Sequence, residues 1–340
     1  MKKPLRARSP AKLILSGEHA VVYGKPALAM AIDRYAESMV ISSLSSAILF
    51  NCLNLKYAKS FTLHALDILK QRIQRQYYAF LEGRCNIRDV LKRPFELLQY
   101  TVMHLLQTWN IPLSEGLEIR ASSEIPIGCG MGSSAALVMS TLYALSHFLK
   151  LDIDPSRFML LGREAENLQH GYSSGVDLQI AMSGGCLRFL HGKSEKRELP
   201  NIPMSIVQTG SPATTTGECV QAVAKYFKNG TLGDDFAAVT DLFDQALQAN
   251  DIQKIQECIR LNHRLLMGIG VVPAKVRAFI NALEIEGAAA KVCGAGSIQG
   301  DAAGVVLIVS ETDREVSSIA QEYGYTLQSV RGDSYGTHLL

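Results

Sequence analysis

The sequence predicts an α+β chain folded as two lobes, and three observations carry that prediction. The chain has 340 residues, about twice the roughly 150 residues of a common domain. Its hydrophobic fraction of 47% and charged fraction of 19% are those of a globular protein that buries a full core without metal or disulfide staples. Strand-like runs are mixed with pairs of helices instead of alternating strictly with them, which favours α+β over a doubly wound parallel sheet.

Taken in order, residues 5–16 alternate loosely and end in Leu13-Ile14-Leu15, predicting an N-terminal strand pair. Residues 57–107 have helical character, with Lys70, Arg72, Arg75, Arg84, Arg88 and Arg93 among spaced Leu, Ile and Phe. That pattern reads as amphipathic helices with a basic solvated face. Residues 117–121 read as a strand, followed by a glycine loop and an apolar helix near 133–149. Asp154-Pro155 is a helix start, Asp at the N-cap and Pro in the first turn, for a helix to about 169. Strands are expected at 186–190 and 205–208, and the polar, turn-rich 191–203 marks the boundary between lobes of 1–195 and 196–340. The second lobe should contain helices near 217–228, 234–249, 251–267 and 273–285, then strands at 289–293, 304–310 and 326–331 around a helix at 312–323.

Composition excludes several classes. Lys+Arg 34 against Asp+Glu 32 leaves a net charge of +2, so no bulk imbalance points to nucleic acid or a membrane surface. The seven cysteines include no CxxC pair, which argues against a disulfide framework or a structural zinc and for free thiols in a reducing compartment. No run reaches the ~18 apolar residues of a membrane span, and the basic start is followed by too short an apolar stretch for a secretory signal. The expected location is the cytoplasm.

Three segments carry chemistry. The first is Pro126-Ile127-Gly128-Cys129-Gly130-Met131-Gly132-Ser133-Ser134. Its glycines let the backbone close around a ligand, and the helix behind it aims free N–H groups at the loop, an anion site. The alternative for such a loop is a structural turn capping an apolar helix. The spacing is not GxGxxG, and Gly192-Lys193-Ser194 lacks the first glycine of GxxxxGK[ST], with Leu187 in its place. In the second segment, Lys12 adjoins an apolar strand, where an ammonium attracts phosphate or carboxylate strongly; Glu18 and His19 follow a glycine turn. The third is Gly171-Tyr172-Ser173-Ser174-Gly175-Val176-Asp177, behind a helix bearing Glu164 and Glu166. A carboxylate in the apolar company of Asp177 needs a partner.

Together the segments resemble the GHMP small-molecule kinases. GEHAVVYG at 17–24 is the form typical of mevalonate kinases, PxGxGxGSSAA is the nucleotide-phosphate loop, and SGVD at 174–177 resembles the stretch with the catalytic aspartate. Asn262-His263-Arg264-Leu265-Leu266 and Lys291-Val292-Cys293-Gly294-Ala295-Gly296, the third motif, agree. The resemblance implies a GHMP kinase-like two-lobed fold, with nucleotide and catalytic groups in 1–195 and a second α/β domain in 196–340. It implies ATP-dependent phosphorylation of mevalonate to 5-phosphomevalonate in isoprenoid biosynthesis. ATP phosphates would lie over residues 126–134, Mg²⁺ on Ser134 and Glu166, and Asp177 and Lys12 would be catalytic. His19 and Thr215 would contact substrate, with Glu18 supporting; a homodimer follows by analogy alone. The alternatives are a related kinase acting on another hydroxyl or on phosphorylated mevalonate, and, further off, a mevalonate diphosphate decarboxylase-like enzyme. Three departures stand out: Ser297-Ile298-Gln299 follows GAG where the family runs on in glycines, Ala213 replaces a common arginine, and Ala11 replaces a glycine. Ile298 cannot take glycine-only conformations, so a different local backbone is expected there.

Overall fold

The computed structural model describes residues 2–228 and 231–340. In chain order the elements are β1 (Leu5–Ser16), β2 (Ala27–Ser43), β3 (Ile48–Cys52), β4 (Tyr57–Phe61), α1 (Leu63–Leu81), α2 (Glu96–Thr108), β5 (Gly116–Ser123), α3 (Ser133–Phe148), α4 (Pro155–His170), α5 (Val176–Ser183), β6 (Cys186–Leu190), β7 (Lys193–Arg197) and β8 (Met204–Gln208). They continue as α6 (Thr216–Lys228), α7 (Leu232–Gln248), α8 (Ile252–Gly268), α9 (Ala274–Ile285), β9 (Ala289–Cys293), β10 (Val305–Val309), α10 (Asp313–Glu322), β11 (Leu327–Val330) and β12 (His338–Leu339). The fold is α+β. Among the described residues no helix is long and apolar enough to cross a membrane.

The larger sheet runs β12-β1-β2-β5-β3-β4, with the β6–β7 hairpin paired to β2. Its pairings are antiparallel except the parallel β3–β5 pair. The smaller sheet runs β11-β8-β10-β9, all antiparallel. One face of the large sheet packs on α1 to α4 through residues such as Phe50, Ile119, Leu142 and Leu161. A second core joins the sheets: Leu13, Leu15 and Met30 from β1 and β2 meet Ile206, Leu307 and Val309 of the small sheet and Phe243 and Ile259 of α7 and α8. The far face of the small sheet is covered by α9 and α10 through Phe279, Ile280 and Val316.

Local chemistry explains the element boundaries. Asp154 caps α4 as expected, accepting from Ser156 N and Arg157 N; Asp251 does the same for α8 through Lys254 N. Where the structure departs from the sequence-based expectation, a physical reason is visible. Residues 5–16 form one strand, not a pair; its partner is β2, and the register slips at Pro10/Ala11, where proline has no N–H to give the ladder. The stretch from 57 begins with a strand, β4, before the helices. Within 191–203, β7 pairs with β6 across His191-Gly192, both with positive φ, as a tight two-residue hairpin requires. Its lysines and arginine give the edge the charge that discourages further pairing. Charge also ties the large sheet to α7: Arg197 of β7 binds Asp244 of α7 in a fork, Nε to Oδ1 at 2.7 Å and Nη2 to Oδ2 at 2.8 Å.

Phe243 is fully buried in the core between the sheets. Phe243→Ala should therefore destabilise the whole chain by about 3–5 kcal/mol, read as a lower urea midpoint in one cooperative transition; a loss below about 1 kcal/mol would show that the sheets do not share a core.

Candidate active site

The glycine loop sits between the two sheets. Gly128, Gly130 and Gly132 all have φ between +71° and +81°, the left-handed region that side chains disfavour. At two of them a side chain would also crowd its neighbours. A Cβ on Gly130 would lie 3.1 Å from Cys293 O, and one on Gly132 would lie 3.0 Å from Lys12 Cγ and 3.5 Å from Asp177 Oδ2. Cys129 and Met131 turn into the core shared by the sheets, so between the glycines it is backbone that faces outward; Ile127 is exposed. Ser133 and Ser134 open α3, whose first-turn N–H groups have no acceptor within the helix. Lys12 N donates to Met131 O at 3.0 Å, which fixes β1 against the loop.

Lys12 and Asp177 meet beside Gly132. Lys12 is 5% exposed, and its Nζ is 2.9 Å from Asp177 Oδ1. Asp177 lies in the first turn of α5, an eight-residue helix absent from the sequence-based reading; the positive end of that helix favours its charge. Glu166, on α4, is 2% exposed. Its Oε1 accepts from Ser134 Oγ at 2.8 Å and its Oε2 from Ser173 Oγ at 3.2 Å. Burial pushes the Glu166 carboxyl above the usual range. His170 lies beside it, its Nε2 3.9 Å from Oε1 and 3.4 Å from Ser134 Oγ. The hydroxyl and carboxylate together make a hard oxygen pair that suits Mg²⁺, a cation that takes few protein ligands and fills its shell with phosphate and water. Among the described residues there is no cluster of three or more His, Cys, Asp and Glu arranged for an all-protein metal cage.

A cavity of about 380 Å³ opens beside this arrangement, lined among others by Gly128, Gly130, His170, Ala213, Thr215 and Ala295 but not by Lys12, Ser134, Glu166 or Asp177. It has the size of a small-molecule site. Thr215 lies on it, with N and Oγ1 both donating to Glu218 Oε2 at 2.7 and 2.9 Å. His19 has φ +59°; its Nε2 donates to Ala295 O at 3.0 Å, and burial lowers its pKa to about 4, so the ring is neutral near pH 7. Glu18 is fully buried against Lys291 of β9. It therefore has no surface to offer a ligand and acts only through its neighbours. The departures noted in the sequence also find their places. Ser297, Ile298 and Gln299 avoid the left-handed region, which Gly294, Gly296 and Gly300 occupy. Ala213 packs closely beside Gly300, where a Cβ would come within 3.1 Å of it.

Sequence reasoning gave no role to His170 and Lys291. His170 sits one helical turn after Glu166, a spacing that puts both on one face. Lys291 is a lone charge inside the apolar run Ala289-Ala290-Lys291-Val292-Cys293, which is the signal of a buried, partnered cation.

An ammonium paired with a carboxylate, next to a backbone anion cradle and a hard oxygen pair, is the set of groups that phosphoryl transfer needs. The comparisons agree. Residues 96–185 match the GHMP kinases N terminal domain. The mevalonate kinase of Pyrococcus horikoshii is 31% identical over 312 residues, covering 87% of each chain. That of Archaeoglobus fulgidus is 32% identical over 298 residues, covering 85% of this chain and 88% of the relative. The fold matches the crystal structure of the Methanococcus jannaschii mevalonate kinase with a TM-score of 0.81 at 24% identity, over 97% of this chain and 99% of that one. With a shared fold and this degree of identity over most of its length, the chain belongs to the mevalonate kinase family.

Proposed function

We propose that the protein transfers the γ-phosphoryl group of ATP to mevalonate, giving 5-phosphomevalonate and ADP. The observation that carries this reading is the Lys12–Asp177 pair, 2.9 Å apart, set against Gly132 of the glycine loop. Residues 1–195 supply the cradle and these two groups, and residues 196–340 supply Thr215 and the segment around Ala295.

ATP phosphates lie over residues 126–134, held by loop and helix N–H groups. Ser134 and Glu166 hold Mg²⁺, which when bound neutralises phosphate charge. The substrate hydroxyl is oriented by Asp177. As its oxygen bonds to the γ-phosphorus, the bond from that phosphorus to the β,γ-bridging oxygen breaks, the hydroxyl proton passes to Asp177, and ADP leaves. Lys12 pairs with Asp177 and offsets charge on the phosphoryl group in transit, an electrostatic contribution fixed in advance by the fold. His19 and Thr215 contact mevalonate; Glu18 supports the turn that carries His19.

Two outcomes are expected from ADP release coupled to a reporter. Asp177→Asn lowers kcat with mevalonate by about 10²–10⁴-fold while nucleotide still binds; equal activity in variant and wild type would end the assignment. Ser134→Ala raises the Mg²⁺ concentration for half-maximal rate by about tenfold or more; an unchanged Mg²⁺ dependence would remove Ser134 from the metal site.

A further inference from the structure

Lys291 is the third residue of β9, a strand buried along its whole length. Its side chain has no exposed surface, and neither has that of its partner Glu18. The ammonium donates to Glu18 Oε1 and, at 3.2 Å, to the carbonyl of Ile14 in β1. One residue pair on, Cys293 Sγ donates to the same carbonyl at 3.4 Å. Beyond β9, Gly294 packs on Gly130 of the glycine loop, and Ala295 O receives the His19 ring. From the other side, Asn262 of α8 donates to Ser16 Oγ at 3.3 Å. Every one of these contacts comes from the second lobe, and every one grips residues 14–19 or the loop beside them.

The gripped segment is a sharp turn, closed on itself by Val21 N to Gly17 O at 3.1 Å and Val22 N to His19 O at 3.0 Å. Gly17 has φ +90°, and His19, with a full side chain, has φ +59°. A left-handed histidine persists only where its surroundings over-determine it. Glu18 sits between these two residues, and its buried carboxylate ties the turn to β9 through Lys291.

We propose that Lys291 is a positioning residue for the reaction: by clamping Glu18 it holds the His19 turn, and with it the acceptor side of the site, in register with the glycine loop. This rests on the proposed mevalonate kinase activity and adds to it a second-lobe residue that touches neither substrate nor nucleotide. The ion pair bears on the acceptor side first, because the loop that would carry ATP packs on Gly294 and is also tied to β1 through Lys12 N and Met131 O, neither of which involves the Lys291 side chain.

The test is Lys291→Met, with kcat and KM measured separately for mevalonate and ATP, and with the His19 ring followed by NMR through a pH titration. The expected result is a fall of about 100-fold in kcat/KM for mevalonate with the KM for ATP within about twofold. Glu18→Gln should add little to Lys291→Met, since both cut the same link. The His19 ring, which burial holds at a pKa of about 4, should rise toward the ordinary histidine value of about 6.5 as the turn loosens. A folded Lys291→Met protein with wild-type kcat/KM and an unmoved His19 titration overturns the proposal. If Lys291→Met does not accumulate folded, the same measurements are made on Glu18→Gln/Lys291→Met, which removes both buried charges, and are judged by the same criteria. Should the wild type not turn over mevalonate, the functional reading fails, and the His19 titration alone decides the role of Lys291.

Discussion

The ion pair between Lys12 and Asp177 is the constraint on which the rest of the structure depends. It forms only because β1, the glycine loop and the first turn of α5 come within a few ångströms of one another, with Gly132 between them, where a side chain would crowd Lys12. A nearly buried ammonium would be costly alone. The carboxylate that satisfies it is also the group proposed to meet the acceptor hydroxyl, so in that proposal the same contact serves folding and chemistry. The lysine backbone adds to this by bonding the loop at Met131, which makes the distance between cradle and ion pair a property of the fold and not of side-chain rotamers.

The second lobe contributes support more than chemistry. Its sheet shares a core with the first, its α7 is pinned to the β6–β7 hairpin by Arg197 and Asp244, and its β9 reaches under the Gly17–Glu18–His19 turn. The cavity is lined from both sides, by the glycine loop and α4 on one and by the segments around Thr215 and Ala295 on the other. A ligand in it touches two lobes that cannot shift independently without opening a packed core. That arrangement suits a reaction whose acceleration comes mainly from positioning and charge stabilisation.

Much of this was legible in the sequence, and the parts that were not share a cause. The second-lobe helices and β9 have the strong periodicity or continuous apolar run that local patterns report, and β9 was expected at its observed bounds, Ala289–Cys293. The glycine loop was legible because its spacing only makes sense if the backbone must bend. By contrast β2 changes partners along its length, β6 at Ala27–Met30 and β5 from Ala36 onward, so no single alternation runs through it. The helix α5 is only eight residues long and follows a glycine-rich turn. Glu18 follows a glycine turn, where a polar side chain can face a ligand; its burial is decided by Lys291, 273 positions away, and no local pattern encodes that meeting.

The most direct test of the account is a crystal structure with mevalonate and a non-hydrolysable ATP analogue bound together. The account predicts the acceptor hydroxyl oxygen within hydrogen-bonding distance, about 2.6–3.2 Å, of the Asp177 carboxylate, with the terminal phosphate on the N–H groups of residues 128–134 and Lys12 between them. Mevalonate seated away from Asp177, or phosphates lying off the glycine loop, would contradict it.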